Sequence, residues 1–202
     1  IINNDHVVYM ESEGEETIIN DIENFAILAK RKKDIRFLSF CDEDITKTQS
    51  LPKNLPFSSG DLVSFILSLM SESESESEYE DMWQGRAISL ISAIMMALVF
   101  MRNNGEVVID AETILEHLMF ENIIKMSKRE SLPSNIRISL RDYLVSLPEF
   151  QEGVLRQNDT VLEHHGYLQM QFTKNLLDVK YYYGSLFSAN PSLDYSDLTG
   201  NN

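Results

Sequence analysis

The sequence predicts a mainly α-helical protein with a small strand–helix–strand piece at its start. The first observation behind this prediction is a proline-free stretch, 81–101, which is apolar on nearly every side from Ala87 onward, as in a helix surrounded by protein. The second is that helical spacing of apolar residues recurs after residue 58, whereas strand-like runs lie before residue 41. The stretch 81–101 is therefore expected to be the central core helix.

A membrane-spanning interpretation of this stretch is less favourable. Its unbroken apolar run from Ala93 to Met101 is far below the roughly 18 residues that a membrane span requires, and Ser89 and Ser92 interrupt the sequence upstream. We therefore expect a buried helix and no contact between this chain and a membrane.

Composition and charge limit the possible functions. With 202 residues, 43% of them hydrophobic, the chain can bury a core without needing disulfide or metal cross-links. Its single cysteine, Cys41, excludes an intramolecular disulfide. The net charge of −15 disfavours direct nucleic-acid binding. No secretory segment is visible, which favours the cytoplasm, and the absence of a starting methionine suggests a piece of a longer protein.

The first forty residues have a strand, helix, strand pattern. Residues 6–10 and 35–40 are strand-like, and apolar residues between Thr17 and Lys33 have helical spacing. Such a unit normally implies a parallel sheet, and two strands alone are not stable in water. The rest of the sheet is expected to come from elsewhere in the protein.

The body of the chain is expected to be helical. Ser58 or Ser59 can cap a helix over 60–70 with an apolar face that includes Phe65, and Ser71–Asp81 is predicted to be a mobile acidic loop. The central helix is expected to end at the sequence Asn-Asn-Gly, 103–105.

Further helices are predicted towards the C-terminus. Asp110 caps 111–120, a short helical segment covers 123–128, and Ser134 caps 135–146 before Pro148. Asp159 or Thr160 opens a last helix that reaches about residue 187. Within it Gly166 costs roughly 1 kcal/mol relative to alanine, so a close helix contact is expected there.

The residues needed for common catalytic chemistry are not arranged in known motifs. None of the eight glycines is followed by lysine, which excludes a phosphate-binding P-loop, and no Gly-x-Ser-x-Gly occurs. His117 lies beside Glu116, and the pair His164-His165 follows Glu163. The spacing that places two imidazoles on one helix face is absent, so solvated or hydrogen-bonded histidines are favoured over a metal site. We predict no catalytic, cofactor or metal residues in this chain.

The Ser-Glu run provides candidate partner-binding residues. Its carboxylates can attract a basic partner through long-range charge, although such runs are more often only solvated. The candidates are Glu72, Glu74, Glu76, Glu78 and Glu80. A methionine-rich set, Met95, Met96, Met101 and Met119, fits an adaptable binding surface or, by preference, core packing.

Two motifs resemble a known family. The sequence Met-Trp-Gln-Gly-Arg-Ala at 82–87 and the sequence His-Gly-Tyr-Leu-Gln-Met-Gln-Phe-Thr at 165–173 are similar to those of type IV coupling proteins (TraG/TraD-like ATPases), in the DotL/IcmO and TrbC branch. Segments 62–70 and 142–148 support the resemblance. The motif residues, for which we expect structural roles, are Trp83, Gly85, Arg86, His165, Gly166, Tyr167, Gln169, Gln171 and Phe172.

The resemblance implies a piece of a hexameric ATPase with a RecA-like fold, anchored at the bacterial inner membrane, with ATP and Mg²⁺ bound elsewhere in the parent protein. Residues 1–50 would be part of the ATPase domain, 51–188 its cytoplasmic all-α domain, and 189–202 an exit segment. One departure is Glu13, which stands where the family usually has lysine in Asp-x-Lys-Gly-Asp/Glu. A contact that this lysine would make near the nucleotide or a neighbouring subunit is therefore not expected in this chain.

The resemblance leads to two main functional hypotheses. In the first, the chain is a docking module that recruits secretion substrates, adaptors or relaxosome proteins. In the second, it is a structural insertion that only braces neighbouring subunits of the hexamer. A third, a DNA-contacting lid over the motor pore, is opposed by the net charge.

Overall fold

The computed structural model describes residues 16–35, 51–52, 57–69, 78–154, 156–184 and 187–188. The chain divides into two compact units. Unit 1 comprises Ile1–Pro52 and Ser185–Asn202, and unit 2 comprises Lys53–Gly184. The described residues are mainly helical.

Unit 1 contains helix α1, Glu16–Leu28, a 3₁₀ turn at Lys32–Asp34, and two short strands, β1 (Leu51–Pro52) and β2 (Phe187–Ser188). β1 and β2 pair in parallel. The predicted strand at 6–10, and all of the second predicted strand except Ile35, lie outside the described residues. Only the helix of the predicted strand–helix–strand piece is therefore seen.

Helix α1 ends earlier than the predicted Lys33. Lys30 adopts a left-handed conformation with φ of 58°, and the Arg31 amide donates to the carbonyl of Ala26 at 2.7 Å. A left-handed residue followed by such a return hydrogen bond closes a helix and satisfies one of its last carbonyls. Backbone geometry at the C-terminus of α1, which the apolar spacing does not encode, fixes this end.

Unit 2 is a helical bundle around a long central helix. Its helices are α2 (Ser59–Ser68), α3 (Glu78–Asn103), α4 (Ala111–His117), α5 (Phe120–Ser127), α6 (Ser134–Ser146) and α7 (Asp159–Tyr183). Helix α3 packs against α2, α4, α6 and α7, while α5 packs on α6 and α4 packs on both α5 and α7. Most of the bundle therefore forms its core against α3.

Helix α3 confirms the predicted core helix. Leu90, Ile91, Ile94, Met95 and Leu98 are all fully buried. In the described part of the chain, Gln84–Asn103 is the one helix that is long and apolar enough to cross a membrane by length and composition, with a mean hydropathy of 1.6. Because its apolar side chains make the core of unit 2, burial within the protein accounts for that composition.

Several helix ends are set by the predicted chemistry. Ser58 caps α2 through a reciprocal arrangement with Asp61: the Asp61 amide donates to Ser58 Oγ, and the Ser58 amide and hydroxyl donate to the Asp61 carboxylate. These bonds lower the pKa of Asp61. Asp110 caps α4 by accepting from the Thr113 amide at 2.8 Å, and Gly105, with φ of 74°, follows α3.

Other predicted boundaries are wrong. Residues 78–81 belong to α3 rather than to an acidic loop, and the predicted helix over 111–120 breaks at Leu118–Met119, so that α5 starts at Phe120. Pro133 rather than Ser134 precedes α6. Asn158 rather than Asp159 or Thr160 caps α7, which ends at Tyr183. Phe65 is 51% exposed, so it is not part of the buried face of α2.

One side-chain bond joins distant parts of unit 2. Asn175 Nδ2 on α7 donates to the carbonyl of Leu69 at 3.0 Å. Leu69 is the C-terminal cap residue of α2, where backbone carbonyls lack helical partners. The bond therefore fixes the end of α2 against α7.

Candidate functional site

The polar centre of unit 2 is a buried histidine on α7. His165 Nε2 lies 2.9 Å from the carbonyl oxygen of Leu118, and its Nδ1 lies 2.7 Å from the hydroxyl of Tyr143 on α6. His165 is 2% exposed and Tyr143 is fully buried. We call His165, Tyr143 and the Leu118 carbonyl the histidine relay.

The hydrogen bonds of the relay determine its protonation. A carbonyl only accepts, so Nε2 carries the proton, and in a neutral imidazole Nδ1 then accepts from the hydroxyl of Tyr143. Burial lowers the pKa of His165, partly opposed by the bond to Leu118. Burial likewise raises the pKa of Tyr143 above its ordinary value, and the positive charge of Arg86 opposes this shift in part. Both groups are therefore neutral near pH 7.

Aromatic packing surrounds the relay. The ring of Phe120, the first residue of α5, lies 5.2 Å from the imidazole of His165, centroid to centroid, and the Tyr143 ring lies at 6.0 Å, edge-on. The relay thereby joins the break between α4 and α5 to both α6 and α7. With both ring nitrogens bonded within the protein, His165 has no nitrogen left for a metal or a substrate.

The other helical histidines bond to their own helices. His117 Nδ1 donates to the Thr113 carbonyl at 2.8 Å, and His164 Nδ1 donates to the Thr160 carbonyl at 3.0 Å. Among the residues that the structure describes, no group of three or more His, Cys, Asp or Glu side chains is placed to hold a metal ion.

The first motif, 82–87, lies at the start of α3. The side chain of Trp83 is outside the described part of the structure. Gly85 is exposed and Arg86 is half-buried. Because the charge of Arg86 acts on the phenol of Tyr143, this motif reaches the surroundings of the histidine relay.

The second motif, 165–173, divides between the two sides of α7. His165 and Phe172 are buried, Gln169 is half-buried, and Gln171 is exposed. Tyr167 is 61% exposed. The motif therefore supplies both the polar centre of the bundle and part of its surface.

The expectation of a close helix contact at Gly166 is wrong. A Cβ added at Gly166 would meet no atom within 4 Å apart from its chain neighbours and the local helix backbone. Leu162 and Met170 lie one turn before and one turn after it and are 44% and 69% exposed. We call Leu162, Gly166 and Met170 the α7 stripe: two exposed apolar side chains separated by a glycine notch.

The surface of the described part of unit 2 includes the following depressions. One, of about 440 Å³, has Met101 and Met126 together with Glu116, Lys125 and Arg129 among its lining residues. The other, of about 320 Å³, lies at the start of α7. There the side chain of Gln157 is fully engaged with the backbone of Gln151 and Val154. Neither lining presents a charge of a single sign.

The predicted acidic contact residues are mostly outside the described part of the chain. This applies to Glu72, Glu74 and Glu76, whereas Glu78 and Glu80 belong to the first turn of α3, with side chains outside the description. Of the methionines, Met95 and Met101 are buried as core residues, Met96 is half-buried, and Met119 is 53% exposed.

Sequence reasoning did not identify the partners of His165. Tyr143 lies within the predicted helix 135–146, and its position there gives no sign of a bond to a residue 22 positions away. The Leu118 carbonyl, 47 positions from His165, carries no side-chain signal at all.

Comparison with known proteins supports the resemblance carried by the two motifs. The chain is 29% identical over 217 aligned positions to type 4 coupling protein DotL of Legionella pneumophila subsp. pneumophila (strain Philadelphia 1). The alignment covers 96% of this chain and 28% of DotL. No family model matches the chain, and no solved structure matches it. The predicted resemblance is confirmed: over almost its whole length, this chain is similar to a region of a type 4 coupling protein.

Proposed function

We propose that this chain is a docking domain of a type IV coupling protein, which recruits secretion substrates, adaptors or relaxosome proteins to the motor. The similarity to DotL along 96% of the chain is the observation that carries the proposal. Since the chain spans 28% of DotL, the motor functions would lie in other parts of the parent protein. ATP and Mg²⁺ would bind there.

The chemistry of unit 2 supports a binding role over a catalytic one. The polar atoms of the histidine relay are occupied by one another and are closed to water. The sequence has no phosphate-binding loop of the Gly-x-x-x-x-Gly-Lys type. Such a unit can contribute a binding surface, rigidity and charge to a larger protein assembly.

Two surfaces are available for contact. The α7 stripe offers apolar area around a notch into which a partner's side chain or backbone can fit. The acidic run from Glu72 to Glu80 offers negative charge that attracts basic segments of a partner over several ångströms. Under this proposal the apolar contact supplies affinity and the acidic run supplies association rate.

The role of the acidic run is tested by charge neutralisation in the parent coupling protein. One variant changes Glu72, Glu74, Glu76, Glu78 and Glu80 to glutamine. The matched control changes five exposed acids elsewhere in unit 2 to their amides, so that the net charge changes equally: Glu121, Glu130, Asp142, Glu163 and Asp178. The measurements are pull-down of purified substrates, adaptors and relaxosome proteins, and delivery of a reporter substrate.

Docking predicts that the first variant loses partner binding and delivery while hexamer assembly and ATP hydrolysis stay normal, and that the control binds normally. If the chain only braces subunits, neither variant alters partner binding, and the folded wild-type chain captures none of the three partner classes. That second result would refute the docking proposal. Salt-sensitive binding of single-stranded DNA by the wild-type chain would instead favour the lid hypothesis.

The proposal also gives unit 1 a role. Helix α1 leaves Phe25 at 62% and Leu28 at 79% exposure. An amphipathic helix with uncovered apolar side chains fits a segment that other parts of the parent protein cover. We propose that unit 1 belongs to the ATPase domain, and that the parent is anchored at the bacterial inner membrane with this chain in the cytoplasm.

A further inference from the structure

The histidine relay is placed where one proton alters a hydrogen-bonded connection between helices. Its two hydrogen bonds link α7 to α6 through Tyr143 and to the α4–α5 break through Leu118. The carbonyl of Leu118 belongs to the cap residue of α4, and Met119 and Phe120 begin α5. Any change at His165 therefore acts directly on how this break is held against α7.

Protonation of His165 is incompatible with the observed bonds. When Nδ1 gains a proton it becomes a donor, so the Tyr143 hydroxyl would have to turn and accept, and the hydroxyl hydrogen would lose its acceptor. Tyr143 is fully buried, so water is not at hand to replace that acceptor. In addition, a positive charge would be placed in an apolar environment, beside Phe120.

The charged groups around the relay do not offset that charge. Both ring nitrogens are bonded to neutral groups, and Arg86 on α3, whose charge acts on Tyr143, is itself positive. The other titratable or charged residues next to the relay residues on the surrounding helices are exposed or half-buried: Glu116, His117, Glu121, Arg141, Asp142, Glu163 and His164. Solvent screens them from the buried imidazole.

We propose that the histidine relay is a proton-operated latch: while the imidazole is neutral it holds the α4–α5 break to α6 and α7, and on protonation it releases them. The release exposes the junction around Leu118 to Phe120. The latch belongs to unit 2 itself and operates whether or not this unit docks partners.

The direction of the effect follows from the protonation states. Burial lowers the pKa of His165 in the closed state, whereas an open, hydrated His165 titrates at about 6.5. The open state therefore binds the proton first as the pH falls, and stability of the closed form is lost below about pH 6.5. If the closed form stays neutral, the opening equilibrium increases about tenfold between pH 7.5 and pH 5.5.

The experiment is amide hydrogen exchange of the full 202-residue chain at pH 7.5 and 5.5, corrected for the intrinsic pH dependence of exchange. The amides to follow are Leu118, bonded to Ile114, and Ile123, bonded to Met119. The test variant is His165→Gln, whose amide can donate to Leu118 and accept from Tyr143 without titrating. The matched control is His164→Gln, at the neighbouring histidine, whose Nδ1 donates to the Thr160 carbonyl of its own helix.

The latch predicts about tenfold more opening at pH 5.5 in the wild type and in His164→Gln, and little change in His165→Gln. Equal pH dependence in all three proteins would overturn it. Should His165→Gln fail to fold, nitrogen NMR of the wild-type imidazole decides. The latch requires a neutral Nε2–H ring in the closed form at pH 5.5, and a closed form that titrates normally near 6.5 would refute it.

Discussion

Replacement of Gly166 by alanine should stabilise unit 2. Gly166 lies inside α7, its φ is not in the left-handed region, and an added Cβ meets nothing within 4 Å. Removing the backbone freedom of glycine from a helix interior gains about 0.5–1 kcal/mol. No native contact opposes that gain, so the whole of it should appear in the free energy of unfolding.

The expected size is measurable by urea unfolding followed by circular dichroism at 222 nm. With a urea m-value of about 2 kcal/mol/M, a gain of about 1 kcal/mol raises the midpoint by about 0.5 M. The control is Gly105→Ala, since Gly105 has φ of 74° and an alanine there is strained by about 1 kcal/mol. Gly166→Ala should shift the midpoint up and Gly105→Ala should shift it down.

If Gly166→Ala leaves the free energy of unfolding unchanged or lowers it, while Gly105→Ala behaves as expected, the conclusion that a Cβ at Gly166 meets no other atom is refuted. The same variant also examines the α7 stripe. If a partner fills the notch at Gly166, the more stable protein should bind that partner less tightly, because the new methyl group occupies the notch. Stability and binding would then change in opposite directions, which a purely structural role of Gly166 does not predict.

Two further predictions concern the core and a helix cap. Ile94→Ala on α3 should cost about 3 kcal/mol in the free energy of unfolding, because Ile94 is fully buried. Ile138→Ala, at a position 55% exposed on α6, should cost well under half of that; equal losses in the two urea titrations would contradict the central position of α3. Asp110→Ala should lower the free energy of unfolding by about 1 kcal/mol. It should also speed hydrogen exchange of the Thr113 amide, which donates to the Asp110 carboxylate. Asp142→Ala, which removes an exposed carboxylate within α6, serves as its comparison, and an unchanged Thr113 amide in Asp110→Ala would argue against the cap.

The features that sequence predicted are those that local chemistry determines. Helix α3 was predictable because apolar residues occupy nearly every side of it from Ala87 onward, a pattern typical of a helix that is surrounded by protein. Asp110 as the cap of α4, and Ser58 or Ser59 as the cap of α2, followed from short side chains that can accept from a nearby backbone amide; the structure selects Ser58. At α7 the prediction of Asp159 or Thr160 as the cap was wrong, because Asn158, one residue earlier, has a side chain of the same kind and caps the helix.

The features that sequence missed depend on contacts between distant residues. The break at Leu118–Met119 contains no glycine or proline, and the Leu118 carbonyl is satisfied instead by His165 on another helix. The exposure of Phe65 likewise depends on which face of α2 packs against α3. The apolar residues of α2 are numerous enough that the sequence alone does not determine this face. Of the candidate site, the sequence left open whether His165 is solvated or hydrogen-bonded, and it gave no sign of its partners.

The bond from Asn175 to Leu69 bears on how this part of the protein tolerates change in evolution. It fixes Leu69, two positions before the start of the Ser-Glu run, to a helix residue more than a hundred positions away. Residues added to or deleted from that run would then meet a fixed point on its N-terminal side, and the pairing of α2 with α3 need not shift. Changes in the length or charge of this run are therefore expected to leave the helical body of unit 2 intact.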